Sequence, residues 1–223
     1  MRRVVKTHAP KELTEWRDGN KDHNHSYKAL SGTEAHRKLK DKLLNEQGKI
    51  CAYTGLAITK ESSHIEHIKP QNQCADWEDV DYRNVVACFP AEGGDTSYGY
   101  GAPLKNGWWD EQSFISPLSE DCERRFTFAW SGRIHPDPDD HEGAKETIKI
   151  LGLDNDGLRQ LRKSRIGGFF GFGLRTRSKP LSIAEAKIAL ANIDQFDGNG
   201  RLKEFCFVLK QLLPRYIAQG DGK

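Results

Sequence analysis

Ser63-His64-Ile65-Glu66-His67-Ile68-Lys69-Pro70 is the stretch from which the rest of the chain is best read. Ile65 and Ile68 are set among polar residues, and Pro70 has no amide hydrogen for a sheet, so the segment reads as a short strand ended by Lys69-Pro70. Upstream, Ile50-Cys51-Ala52-Tyr53 reads as another short strand with Thr54-Gly55 as a turn, so the two suggest a hairpin with a long connection. Downstream, residues 71–82 are polar and loop-like, and Asn84-Val85-Val86-Ala87-Cys88 is a short apolar run. Residues 89–107 are dense in Gly, Pro and Tyr and resist assignment.

Glu66 beside His67 at a strand end can divide two tasks between neighbours. A carboxylate offers oxygen to a hard divalent cation, and an imidazole with an unperturbed pKa of about 6.5 can take a proton from water. Consecutive strand side chains point to opposite faces, so both reach one phosphate only where the strand twists or ends. Asn84 follows His67 by 17 positions.

Glu66-His67-Ile68-Lys69-Pro70, preceded by Cys51-Ala52-Tyr53-Thr54-Gly55 and followed by Asn84-Val85-Val86-Ala87-Cys88, resembles the HNH endonuclease motif of the ββα-metal fold, over residues 50 to about 95. A wider pattern runs through Leu44-Asn45-Glu46-Gln47-Gly48, Trp108, Phe114-Ile115-Ser116-Pro117-Leu118, Cys122 and Ile150-Leu151-Gly152-Leu153-Asp154. It is similar to the HNH subunit of Septu-type and retron-associated phage-defence systems, the PtuB-like proteins. The resemblance implies a one-metal phosphodiesterase. His67 would deprotonate the attacking water, Glu66 would hold Mg²⁺ (or Mn²⁺) against the scissile phosphate, and Asn84 would orient the histidine or its loop. It also implies a PtuA-like ATPase partner of the ABC/SMC class, and in some systems a retron reverse transcriptase with its RNA–DNA hybrid.

The chain departs from that pattern in two places. A His or Asn often follows the middle Asn by about nine residues as a second metal ligand in the family, and here that position is Gly93. Glu92 and Asp95 are the nearby candidates, and Asp95 is preferred because two preceding glycines permit a tight backbone approach. Cys51 and Cys88 each lack the second cysteine of a zinc-stapling pair, which argues against a structural Cys₄ site. His64, two residues before Glu66 and so on its strand face, is a further polar contact for metal or substrate, or a strand-edge histidine.

Charge is distributed unevenly. Residues 51–122 carry 4 basic side chains against 12 acidic ones, between two basic flanks. An acidic middle repels a polyanion unless a cation sits there, which the implied metal would supply. Residues 157–184 hold Arg159, Arg162, Lys163, Arg165, Arg175, Arg177 and Lys179 with no Asp or Glu, interleaved with a Gly/Phe stretch. Such a patch suits nucleic acid; it also suits a solvated helix face or a docking surface for another protein.

The expected fold class is α+β: a ββα-metal core with an N-terminal helix and a helical C-terminal part, divided as 1–49, 50–136 and 137–223. Thr33 caps a helix to about Gln47, with Gly48 as its stop. Further helices are expected near 141–151, 154–166, 182–194 (Ser182 and Glu185 forming a capping box) and 199–217, where Pro214 ends or kinks the last. Trp108, Trp109, Phe126, Phe128 and Trp130 read as core. The longest apolar runs are far short of the roughly 18–20 residues that cross a bilayer, and five scattered cysteines fit reduced thiols in a cytosol. The lack of a phosphate-cradling Gly-x-x-x-x-Gly-Lys-Ser/Thr excludes intrinsic ATP hydrolysis by that motif. The expected function is a cytoplasmic metal-dependent nuclease, DNA being preferred to RNA such as tRNA. The rival is a non-catalytic nucleic-acid or partner-binding subunit with a degenerate site.

Overall fold

The structure is a computed structural model that describes residues 1–22, 25–172 and 179–220. Helices α1 (Lys11–Gly19) and α2 (Tyr27–Leu30) lead into α3 (Glu34–Glu46). Thr33 caps α3 as expected, accepting the His36 amide at 3.2 Å, and Ala35, Leu39 and Leu43 form its buried face. Gly48 stops it at φ +62°, where a Cβ would stand 2.5 Å from Leu202. Only glycine satisfies both demands.

The chain then departs from the expected hairpin. Residues 50–53 form no strand; Ile50 makes a single bridge with Ala57 because the chain reverses at once, the Gly55 amide donating to the Cys51 carbonyl. Strand β1 (His64–His67) pairs instead with β2 (Val85–Cys88), antiparallel, with His64 opposite Cys88 and His67 opposite Val85. All four β2 residues are buried, so both its edges need cover. β1 covers one. On the other, the buried Gln47 amide accepts the Ala87 N–H at 2.8 Å and donates to the Ala87 carbonyl at 2.8 Å, and Ala52 donates to that same carbonyl. One side chain thus locks the end of α3 to the middle of the sheet.

Helix α4 (Ala102–Lys105) lies in the Gly-rich region that sequence left open. A second antiparallel pair follows, β3 (Phe126–Phe128) and β4 (Ile134–Pro136), then α5 (Glu142–Ile150), α6 (Asp156–Phe170), α7 (Ile183–Asn192) and α8 (Cys206–Gly220). The Ser182–Glu185 capping box is present. α8 begins seven residues later than the apolar stripe suggests, since Asp197 Oδ1 accepts from the Asn199 and Arg201 amides and closes a loop. The Leu202 and Phe205 amides then donate to the Gly48 and Gly55 carbonyls rather than into a helix. Pro214 lies inside α8, which continues to Gly220. A single hydrophobic core runs from the N-terminal arm through both sheets to Leu213 of α8, across the boundary drawn near residue 136. No described helix is long and apolar enough to cross a membrane.

Candidate active site

β1 alternates as a strand must: Ile65 and His67 are buried, while His64 and Glu66 face an open cleft of about 760 Å³. The strand ends at His67, and there both neighbours reach the same space, since Glu66 and His67 both line the cleft. Tyr27, Gln71 and Glu92 also line it, and among the described residues no Lys or Arg does.

The tautomer of His67 follows from its partners. Its Nε2 stands 2.8 Å from the Asp79 carbonyl oxygen, which can only accept, so Nε2 carries the hydrogen and Nδ1 keeps its lone pair. Nδ1 lies 3.4 Å from Nε2 of Gln71 on the cleft wall. Burial holds the His67 pKa below the ordinary 6.5, although the Asp79 carbonyl and Glu66 act to raise it. Asp79 also accepts the Tyr27 amide at 2.7 Å through its carboxylate, and the Tyr27 ring packs edge-on to His67 at 4.4 Å. Asp79 therefore organises the His67 ring, and nothing in the sequence pattern marks it.

His64 is fixed in the opposite sense. Its Nδ1 is 2.6 Å from the Pro90 carbonyl, so Nδ1 carries the hydrogen and the Nε2 lone pair faces Glu66 Oε2 at 3.4 Å. Two acceptors at that separation require positive charge between them. A proton can supply it: burial opposes protonation, but Glu66 and the Pro90 carbonyl outweigh it and raise the His64 pKa. A divalent ion can supply it equally, because ligand atoms bonded at about 2.1–2.2 Å at adjacent corners stand about 3.0–3.4 Å apart. A histidine whose second nitrogen donates to a backbone carbonyl is the usual orientation of a metal ligand. The pair fits a cation. Among the described residues, however, no group of three or more His, Cys, Asp or Glu side chains converges on one point, so a cation there would need oxygens from outside the protein to complete its shell.

The other Glu66 oxygen is taken. Lys105, 1% exposed at the end of α4, donates to Glu66 Oε1 at 3.1 Å and to the His67 carbonyl at 3.0 Å. The buried Tyr53 hydroxyl has no hydrogen-bond partner among the described residues, and burial, then the Glu66 charge, raise its pKa, so it stays a neutral phenol. Sequence reasoning missed Lys105. The available signal was its isolation, as it is the only basic residue between Arg83 and Arg124.

Asn84 is buried and does not touch His67; its partners are Lys69, Cys74 and Glu78. It holds the 69–79 loop that carries the Asp79 carbonyl. The expected second ligand is placed elsewhere: Asp95 is exposed, its Oδ1 accepting the Ser97 amide at 2.8 Å, and it does not line the cleft, whereas Glu92 does. Gly93, Gly94 and Thr96 on either side of it line the cleft, so the loop stays at the wall while the Asp95 carboxylate is held by the Ser97 amide.

The basic patch is also revised. Arg162 is 2% exposed, donates to the Gly132 carbonyl at 2.7 Å and lies over the Phe128 ring, and burial pushes its pKa down to about 10. It is a core residue, since its position on α6 faces β3. Arg159 pairs with Asp156, and Arg165 pairs with Glu204. Lys163 is exposed, and Arg175 and Arg177 lie outside the described residues. Scans against protein-family models and against curated proteins match nothing.

Proposed function

We propose that this chain is a metal-dependent phosphodiesterase of the HNH kind that cuts nucleic acid, DNA in preference to RNA. The observation that carries it is the facing pair of acceptors, His64 Nε2 and Glu66 Oε2, 3.4 Å apart beside a histidine whose tautomer presents a basic nitrogen. His64 and Glu66 would hold the cation, which when bound supplies positive charge to the phosphate oxygens and admits a polyanion to a cleft lined by no Lys or Arg among the described residues.

His67, kept neutral by burial, accepts a proton from water through Nδ1 while Nε2–H stays on the Asp79 carbonyl. That bond prevents the ring from flipping and stabilises the imidazolium formed. Asn84 keeps the loop in register, and Tyr27 packs the ring in place. The ATPase partner, the defence role and the retron connection rest on the resemblance alone.

The absence of a third converging ligand among the described residues favours the second reading, a binding subunit with a degenerate site. Nicking of supercoiled plasmid, with a tRNA pool in parallel, in Mg²⁺ or Mn²⁺ and with and without the partner ATPase, separates the two. Cleavage that His67→Ala abolishes supports the nuclease, and the polymer cut identifies the substrate. Binding without cleavage under every condition, unchanged in the variant, supports the binding subunit.

A further inference from the structure

We infer that Lys105 is a positioning residue that limits Glu66 to one metal-facing oxygen and makes cation binding depend on the phosphodiester; this rests on the reading of His64 and Glu66 as cation ligands. The geometry is that of a built site. A buried ammonium occupies Glu66 Oε1 at 3.1 Å and the last carbonyl of β1 at 3.0 Å, while Oε2 is left to face His64.

Two consequences follow. Lys105 and Glu66 cancel in charge, so the pair offers a divalent ion little net attraction, and the ammonium repels it at close range. Glu92, the other carboxylate on the cleft wall, is exposed and screened by solvent. A phosphodiester brings the missing negative charge. Cation and nucleic acid then raise each other's affinity by the same factor, as linkage requires. Without substrate the centre stays largely metal-free, and cleavage is confined to moments when a strand is seated. By holding the His67 carbonyl as well, Lys105 also fixes where β1 ends, which brings Glu66 and His67 to one space.

The test measures Mn²⁺ binding by electron paramagnetic resonance on the full chain, with and without a short DNA duplex, in a His67→Ala background so that nothing is cut. Lys105→Met should tighten Mn²⁺ binding in the absence of DNA by about tenfold or more, and DNA should then add less than it adds with Lys105 in place. Lys105→Gln, neutral but still able to donate to Glu66, should shift binding the same way and serves where the Met variant fails to fold by circular dichroism. Folded variants that bind Mn²⁺ as weakly as Lys105, or more weakly, would overturn the inference, since a merely structural lysine cannot suppress metal binding. His64→Ala and Glu66→Gln separate the two failures. If they abolish Mn²⁺ binding while the Lys105 variants leave it unmoved, only the role of Lys105 falls. If they leave it unmoved, or none occurs with DNA present, the cation site falls and Lys105 with it.

Discussion

Asn84 holds Lys69 by both main-chain groups: its Oδ1 accepts the Lys69 amide at 2.8 Å and its Nδ2 donates to the Lys69 carbonyl at 3.1 Å. The same amide donates to the Glu78 carbonyl at 3.1 Å, so one buried side chain closes the loop between β1 and β2. Asn84→Ala leaves these buried groups without partners and should cost about 2–4 kcal/mol. Calorimetric melting should show a loss of several degrees, and cleavage should fall with it because the Asp79 carbonyl is no longer held. An Asn84→Ala variant that melts like the parent contradicts this account of the loop.

His67→Ala should lower plasmid nicking by about 10²–10⁴-fold, the range for loss of a general base. His64 and Glu66 are untouched by that change, so Mn²⁺ should still bind with DNA present. Loss of metal binding together with cleavage would place His67 among the ligands instead.

Arg162 and Lys163 are adjacent in sequence and opposite in role. Arg162→Ala removes the partner of the Gly132 carbonyl and empties buried volume, at a cost of about 3–5 kcal/mol, without a direct effect on DNA affinity. Lys163→Ala should leave melting unchanged and, where α6 meets the backbone, reduce the salt slope of DNA binding by about one. Filter binding at several salt concentrations alongside melting curves reads both, and the reverse assignment would place Arg162 at the surface.

Glu46 makes stability depend on acid. Burial acts to raise its pKa, but hydrogen bonds from Thr7 and Tyr82 and the contact with Lys42 outweigh it, so the net value lies below the ordinary 4.5. In that window the unfolded chain binds the proton and the folded chain does not. The contribution is therefore complete above about pH 4.5 to 5 and is lost as pH falls through the folded value. Glu46→Gln should flatten this part of the acid limb in urea unfolding curves measured from pH 6 to pH 3. A limb as steep as the parent's would show that the Glu46 bonds do not persist in solution.

The parts of the fold legible in sequence were those set by local signals. Thr33 with Gly48, and Ser182 with Glu185, bounded their helices because caps satisfy amide groups within a few residues. Strand β1 was legible from its alternation and from Pro70. Its partner was not, since residues 50–53 and 85–88 are both short and apolar, and what separates them is the Gln47 side chain filling one edge of β2 from a distant helix end. The start of α8 was misplaced for a similar reason: Leu202 and Phe205 fit a helical stripe, but their amides are bonded to Gly48 and Gly55.

Sequence by itself placed a carboxylate beside an imidazole, Glu66 and His67, at the end of a short strand before Lys69-Pro70, because alternation and a proline are local signals. Tertiary structure alone decided how they are charged and aimed. The Asp79 and Pro90 carbonyls choose opposite tautomers for His67 and His64, and a lysine 39 residues away occupies half of Glu66. It also turned Asp95 outward and buried Arg162. Spacing reports which groups are near along the chain, whereas hydrogen-bond direction and burial depend on groups brought close only by folding.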